Sequence, residues 1–323
     1  MRVGIVGYGN LGRGVELALR DCPDAQAVAV FTRRDPAVLQ ALTDTRVYAA
    51  EDILSLKGKM DILILCGGSS DDLPLMTPAL ARDFNVVDSF DRHADIPRHR
   101  ARVEAAARDG GRLALIAAGW DPGLFSVFRT FAAAFFPGGQ TCTLWGRGVS
   151  QGHSEAIRRI PGVLDAREYT LPTEAAEAAA RAGEVPTLPP QELHRRECYV
   201  VAAPGADRAR IERTIRTMPG YFAGYDTTVT FVEMQELMRD HAALPHGGEV
   251  LACGHSGQGG EHTRRMSCRL RLDSNPEFTG SVLVAYARAV CRMREAGRVG
   301  CVTVQDVPPG WLLPDGIEEG SLL

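Results

Sequence analysis

Gly7-Tyr8-Gly9-Asn10-Leu11-Gly12 is a GxGxxG run placed directly after the apolar Val3-Gly4-Ile5-Val6. Glycines at this spacing between a strand and a helix allow a tight turn, close backbone approach to a pyrophosphate, and helix–strand packing, while the helix N-terminus favours the anion. Dinucleotide binding is the chemistry this predicts, and a glycine turn with no ligand is the plain alternative. The end of the next apolar run selects the cofactor. An acidic residue there would bind an adenosine ribose 2'-hydroxyl, but the sequence reads Phe31-Thr32-Arg33-Arg34. A hydroxyl and two guanidiniums suit a 2'-phosphate, which arginine holds through forked, charge-assisted hydrogen bonds. NADP is therefore expected over NAD, with Asp35 available to neutralise one arginine. Cys66-Gly67-Gly68-Ser69-Ser70 follows a third run, where small residues let backbone pass beneath the cofactor's ribose and nicotinamide, unless this is an ordinary turn.

Two acidic motifs end the next two apolar runs: Asp88-Ser89-Phe90-Asp91 and Gly119-Trp120-Asp121-Pro122-Gly123. Ligands of open α/β sheets bind outside the strand carboxyl ends, so Asp91 and Asp121 are both placed to approach a nicotinamide. Carboxylates there suit an amine substrate, because they hold an ammonium or a developing iminium. The bland reading makes Asp88, more readily than Asp91, the cap of the helix near Pro97, and Asp121 an N-cap.

These residues need a frame that alternates strand and helix. Strand-like runs at Arg2 to Val6, Gln26 to Phe31, Asp61 to Leu65, Asn85 to Val87 and Arg112 to Ile116 are separated by helical stretches such as Leu11 to Arg20 and Pro97 to Arg108. That rhythm predicts an α/β fold: an N-terminal Rossmann-type, doubly wound parallel sheet. After Gly119 the texture changes. Alternating runs at Thr141 to Trp145, Glu197 to Ala202, Thr227 to Val232 and Arg265 to Leu272 predict antiparallel strands in a second, α+β domain. The expected boundaries are 1–120 for the first domain and 121–296 for the second, with the tail from about 297 to 323 a candidate to return to the first. Glu174 to Ala182 reads as a short helix, Glu184 to Pro190 as a Pro-rich loop, and Phe278 to Glu295 as a helix.

Composition narrows the function. The chain has 323 residues, 45% hydrophobic and 24% charged, which suits an ordinary two-domain globular protein. With 36 Lys+Arg against 40 Asp+Glu the formal charge is -4, so no global positive field serves nucleic acid or an anionic membrane. The apolar run around Met60 to Cys66 falls far short of the ~20 residues that span a bilayer, and the N-terminus has no signal-peptide pattern. A cytoplasmic protein is expected. Eight cysteines lie scattered without a CxxC pair or zinc spacing, so no metal is expected and the thiols read as small buried hydrophobes.

The motifs GYGNLG, FTRR, DSFDRHADIPRHR, GWDPG, LWGRGVSQGHSEAIRRIPGV, YTLP, HRREC, RTMPGYF, LPHGG and LDSNPEFT stand in one order and spacing. Together they resemble the meso-diaminopimelate dehydrogenase family, over residues 1 to about 308. The resemblance implies NADP-dependent oxidative deamination at the D-centre of meso-2,6-diaminopimelate, giving L-2-amino-6-oxopimelate, ammonia and NADPH, by a homodimer acting in lysine and cell-wall precursor metabolism. It implies that Asp91, Asp121 and Trp145 surround the reacting centre. Gln151, Gly152, Glu155, Thr170, Arg196, His246 and Asn275 complete the implied substrate set, and Ser89, Phe90, Asp121 and Pro122 join the cofactor contacts. Glu155 stands where the family pattern has Asp, one methylene shorter.

Chemistry supports several of these assignments. Arg196 suits a carboxylate clamp because its planar fork makes two parallel hydrogen bonds, and Arg195 would point to the opposite face of a strand. Trp145 offers an indole donor and a flat wall, or simply packs in a core. His246, between Pro245 and Gly247-Gly248, is expected in a turn, and Asn275 before Pro276 equally suits one. The competing functions are another NADP-linked reductase of amino-acid biosynthesis, of homoserine or dihydrodipicolinate type, and an NADP-binding protein without chemistry. The fold alone would not separate them.

Overall fold

The structure, a computed structural model, describes residues 1–186, 188–317 and 319–322. Thr187 of the Pro-rich stretch, and Glu318 and Leu323 of the tail, lie outside the described residues. The chain divides into two compact units, Met1–Val127 with Pro276–Leu323, and Phe128–Asn275.

In chain order the first unit begins β1 (Arg2–Val6), α1 (Asn10–Arg20), β2 (Gln26–Thr32), β3 (Val47–Ala49), β4 (Ile62–Leu65), α2 (Leu73–Leu80), β5 (Val86–Asp88), α3 (Ile96–Asp109) and β6 (Leu113–Leu115). Then follow α4 (Leu124–Phe135), β7 (Gln140–Trp145), β8 (Gly148–Val149), α5 (Gln151–Arg158), β9 (Val163–Pro172), α6 (Glu174–Ala182), α7 (Pro190–Leu193) and β10 (His194–Ala202). The second unit continues with α8 (Arg208–Arg216), β11 (Asp226–Phe231), α9 (Met234–Asp240), β12 (His246–Ser256) and β13 (His262–Leu272). The long α10 (Asn275–Glu295) and β14 (Gly300–Val302) complete the described strands and major helices.

The first unit holds a seven-stranded sheet in the order β14-β6-β5-β4-β1-β2-β3, with every pairing parallel. Its central strands are apolar throughout because both faces are covered. Alternate residues of β4 show this: Ile62 and Ile64 pack with Val15 and Leu19 of α1 and Leu283 and Ala287 of α10, whereas Leu63 and Leu65 pack with Leu73 of α2 and Val103 and Ala107 of α3. The strand order reverses between β1 and β4, which places the loops after those strands at the switch point where such sheets bind ligands.

The unit boundaries fall at Val127 and Asn275 rather than at 120 and 296. The reason is α10, whose glycine lets it cross α1 closely. A Cβ on Gly14 would lie 2.3 Å from the Pro276 carbonyl oxygen, and one on Gly280 would lie 2.5 Å from the Gly14 carbonyl carbon. Leu283, Val284, Ala287 and Val290 then join the core under β1 and β4, each such burial contributing about 1.5–3 kcal/mol for the larger side chains. β14 adds in parallel to β6 at the sheet's edge.

The second unit has two sheets, β11-β10-β9-β8 and β13-β12-β7. Pairings are antiparallel except one. β11 runs parallel to β10, against the antiparallel expectation, because the chain returns through α8 as a crossover rather than a hairpin. Beneath the first sheet, Ile157 of α5 and Ile211 and Ile215 of α8 pack on Ala166, Cys198 and Val200.

Candidate functional site

The loop after β1 separates its three glycines by what surrounds them. Gly7 has φ +92°, and a Cβ on Gly12 would lie 2.2 Å from the Gly7 carbonyl oxygen, so turn and helix–strand contact both exclude a side chain. Gly9 instead has nothing among the described residues within 4 Å of its Cβ position. It is the N-cap of α1 and supplies no side-chain cap, so the leading N–H groups of the helix remain for an anion. Tyr8 is committed elsewhere: its hydroxyl donates to buried Glu16, and burial pushes the phenol up to about 12. Only its backbone remains for a cofactor, and the Tyr8 carbonyl accepts from Arg34 Nη2. Asn10 and Leu11 open α1.

At the end of β2, Thr32 is buried and its Oγ1 accepts from the Arg34 N–H at 3.1 Å. Arg33 is 75% exposed and pairs with Asp72 at 2.9 Å. Asp35 Oδ1 accepts from the Ala37 N–H at 2.9 Å. Asp72, which sequence reasoning missed, also holds the Cys66–Ser70 turn, since its Oδ2 accepts from the Gly68 N–H at 3.0 Å and a Cβ on Gly67 would lie 2.7 Å from its own Cβ. An open glycine, an uncapped helix terminus and two exposed arginines fit a dinucleotide carrying a 2'-phosphate.

The acidic motifs follow β5 and β6. Asp91 is exposed, and its N–H donates to Ser69 Oγ at 3.1 Å, linking it to the turn after β4. Asp121 and Ser89 are half-buried and Pro122 is buried. A Cβ on Gly123 would lie 1.7 Å from the Gly119 carbonyl oxygen, which makes this turn dependent on glycine. The Phe90 ring is in the core, stacked on His99 at 4.2 Å, so Phe90 offers a cofactor only its backbone. Asp88 does not cap the helix: the N-cap of α3 is Asp95, without a side-chain cap bond. The Asp88 carboxylate turns inward instead, onto Phe90, Ala117, Thr77 and His99.

In the second unit the register of β9 and β10 sets Arg196 opposite Thr170. Arg196 is buried, its Nη1 donates to Thr170 Oγ1, and its guanidinium lies over the Tyr225 ring at 4.4 Å. Arg195 takes the other face and donates to Glu197. Beneath Arg196 lies Glu168, which sequence reasoning missed. Its Oε1 is 3.6 Å from Arg196 Nη1, and it accepts from Thr170 Oγ1 at 3.2 Å. Burial pushes the Glu168 carboxyl up to about 7, against the pull of Arg196 and Thr170. Arg196 Nε is buried and has no hydrogen-bond partner among the described residues.

β8 brings more of the set beside this pair. Gly148 faces Thr170 across the ladder, and a Cβ on it would lie 2.3 Å from His246 Cα. His246 is not in a turn: it is buried as the first residue of β12. Gly247 serves close strand approach there, a Cβ lying 2.3 Å from the Leu270 carbonyl oxygen. Burial lowers His246 to about 4 and His153 to about 3, with Arg196 adding to both shifts. Trp145 ends β7 half-buried, paired with Gly248, and its N–H donates to His194 Nε2 at 2.8 Å. Gln151 and Gly152 open α5 behind the Ser150 cap. Ser154 fastens this helix to β9 by accepting the Glu168 N–H at 2.9 Å. Glu155 faces outward, engaged with Arg158 at 2.7 Å and Arg159 at 3.3 Å. Asn275 begins α10, its N–H donating to the Leu244 carbonyl at 3.0 Å. A cavity of about 690 Å³ includes His246, Arg147 and Arg271 in its lining but none of Trp145, Thr170 and Arg196, so its walls do not trace the candidate set.

The model of the diaminopimelic acid dehydrogenase C-terminal domain matches residues 119–274. A meso-diaminopimelate D-dehydrogenase from Acetivibrio thermocellus is 47% identical over 320 residues, covering 99% of this chain and 96% of its own. One from Ureibacillus thermosphaericus is 50% identical over 319 residues, covering 99% and 97%. The chain belongs to the meso-diaminopimelate D-dehydrogenase family. The resemblance read from the motifs therefore holds along the whole length. Among solved structures of this dehydrogenase family, the C. glutamicum DAP dehydrogenase in complex with DAP matches with a TM-score of 0.91 at 44% identity, covering 98% of this chain and 96% of that one. An engineered D-amino acid dehydrogenase bound to NADP+ matches at 0.91 and 42%, covering 100% and 98%. Among the described residues no helix is long and apolar enough to cross a membrane, and no group of three or more His, Cys, Asp or Glu is placed to hold a metal.

Proposed function

We propose that this chain catalyses the reversible, NADP-dependent oxidative deamination of meso-2,6-diaminopimelate at its D-centre, consuming one water and yielding L-2-amino-6-oxopimelate, ammonia, NADPH and a proton, as a step of lysine biosynthesis. The observation that carries the reading is identity of 45–50% to four meso-diaminopimelate D-dehydrogenases over at least 97% of the chain. The enzyme class is an oxidoreductase acting on CH–NH2 donors.

NADP, when bound, takes up the hydride from the substrate's α-carbon. Gly7–Gly12, Thr32–Arg34, Cys66–Ser70, Ser89, Phe90, Asp121 and Pro122 hold it, the arginines on the 2'-phosphate. Asp91 and Asp121 hold the reacting amino group, which gives up one proton of its ammonium form before its lone pair expels the hydride, and they stabilise the positive charge as the C–N bond gains double-bond character. Trp145 walls this centre with its indole during hydride transfer, and a water then hydrolyses the substrate iminium to the oxo product and ammonia. Arg196 and Thr170 grip a carboxylate, and His246, uncharged at neutral pH, supplies a hydrogen bond without adding positive charge. Gln151, Gly152, Glu155 and Asn275 line the remainder of the substrate. The first unit thus serves NADP, and the second serves substrate and dimerisation in a cytoplasmic homodimer.

The test is reduction of NADP or NAD by purified protein with the meso, LL and DD isomers supplied separately. Turnover with meso and NADP, and much weaker turnover with LL, is expected. NADP binding without turnover of any isomer overturns the substrate assignment and turns attention to the reductase and non-catalytic readings.

A further inference from the structure

Asp88 ends β5 fully buried, and its carboxylate is the meeting point of four elements of the first unit. Oδ1 accepts from the Phe90 N–H at 3.1 Å and from the Ala117 N–H at 2.9 Å. Oδ2 accepts from Thr77 Oγ1 of α2 at 2.8 Å and lies 2.8 Å from His99 Nε2 of α3. The Asp88 carbonyl also accepts from the Ala118 N–H at 2.9 Å. The two N–H groups on Oδ1 belong to the turn that leads to Asp91 and to the segment that leads to Asp121. One oxygen therefore ties together the two stretches of backbone that present the reacting-centre carboxylates.

The geometry of those stretches depends on that oxygen. Ala117 has φ +57°, a left-handed backbone that a residue with a Cβ adopts only where its surroundings hold it. Asp91 itself is exposed, and its backbone anchors are this turn and Ser69. The Phe90 ring is stacked on the same His99 that meets Oδ2, so the turn is held on its side-chain and main-chain sides together. Four donors fill the acceptor capacity of the carboxylate, which leaves it one orientation.

We propose that Asp88 is the positioning residue that sets the placement of Asp91 and Asp121 and acts on the reaction through them. It rests on the reading of Asp91 and Asp121 as groups at the reacting centre. Misplacement of a reacting group by about 1 Å costs on the order of 100-fold in rate, and removing the shared acceptor frees both stretches at once.

The experiment compares Asp88→Ala, Asp88→Asn and Thr77→Val in the full-length enzyme, alone and combined with Asp91→Asn. Asn keeps an oxygen for the two N–H groups, so it retains kcat within about 3-fold, whereas Ala lowers kcat about 10- to 100-fold with KM for NADP unchanged. Asp88→Ala lowers kcat by a clearly smaller factor when Asp91→Asn is already present, because the effect travels through that group. Should the alanine variant not fold, Thr77→Val loosens Oδ2 alone and is expected to lower kcat at least 3-fold, again less on the Asp91→Asn background. Equal losses on both backgrounds, or a loss confined to KM for NADP, overturn the proposal. Asp91→Asn and Asp121→Asn with undiminished kcat would overturn the functional reading itself; losses there with an unaffected Asp88→Ala would overturn only the positioning role.

Discussion

Two buried carboxylates, Asp88 in the first unit and Glu168 in the second, lie beneath candidate site residues, and they are supplied with partners in different ways. Asp88 meets two backbone N–H groups, a hydroxyl and an imidazole. Glu168 meets a hydroxyl and an arginine at 3.6 Å, and that arginine keeps a buried Nε with no hydrogen-bond partner among the described residues. Each Asp88 oxygen thus has two partners, although His99 itself keeps a buried Nδ1 with no hydrogen-bond partner among the described residues. The Glu168 arrangement is a charge pair left incompletely satisfied, which is costly in a protein interior unless a ligand completes it. The contrast teaches that a buried carboxylate marks scaffold or recognition by how it is supplied: four donors saturate Asp88, whereas Glu168 has one hydroxyl and a guanidinium that equally suits a substrate carboxylate.

The sharpest way to break this comparison is Arg196→Met. If Arg196 is the member awaiting a substrate carboxylate, kcat/KM for meso-diaminopimelate falls about 100-fold or more, since losing one side of a buried charged hydrogen-bond pair costs roughly 2–5 kcal/mol. KM for NADP stays unchanged. An unaltered kcat/KM in steady-state assays would make the pair as structural as Asp88.

A smaller effect is expected from the exposed cations of the first unit. Arg33→Ala with Arg34→Ala lowers the NADP over NAD preference in kcat/KM by about 10- to 100-fold, because two charge-assisted bonds to a phosphate are removed while the glycine loop is untouched. A preference that survives both changes would show that the contacts of Arg33 to Asp72 and Arg34 to Tyr8 are all those residues do.

The finest test uses pH. The Glu168 carboxyl is raised to about 7 from an ordinary 4.5 by burial. The folded state therefore holds this proton more tightly than the unfolded one; the stability it contributes is full below about 4.5 and is lost as pH rises through about 7. Above that pH the carboxylate balances Arg196 and competes with a substrate carboxylate, so KM for substrate rises about 3-fold between pH 6 and 8. His153 and His246 add no slope there, titrating near 3 and 4, and Cys198 stays a thiol, pushed up by burial. Glu168→Gln flattens both the KM profile and this part of the melting-temperature profile. A slope unchanged in the variant would assign it to another group.

Much of the frame was legible from short-range pattern. β1, α1, β2 and α3 fall within a residue of the expected spans because a strand covered on both faces is apolar throughout, and GxGxxG marks the turn between β1 and α1. His246 was misplaced because two following glycines signal a turn locally, whereas their use in β12 is set by Leu270 on a strand the local pattern does not reveal. Asp72, Glu168 and His194 were not legible as site neighbours. Each gains its meaning from a partner distant in the chain, Arg33, Arg196 and Trp145 respectively. Asp88 shows the same limit, since Asp near a helix start reads as a cap and only the packing of α2 and α3 turns it inward.

The sequence by itself determined the parallel α/β frame, the glycine loop, the arginines at the end of β2 and, through ten ordered motifs, the family. These depend on residue type and local spacing, which backbone sterics and periodicity translate directly. Only the tertiary structure decided where α10 belongs, which face of β10 carries Arg196, and which buried carboxylates are braced or left wanting. Those outcomes are set by close backbone approach at Gly14 and Gly280, by strand register, and by how many donors reach an oxygen that burial has removed from water.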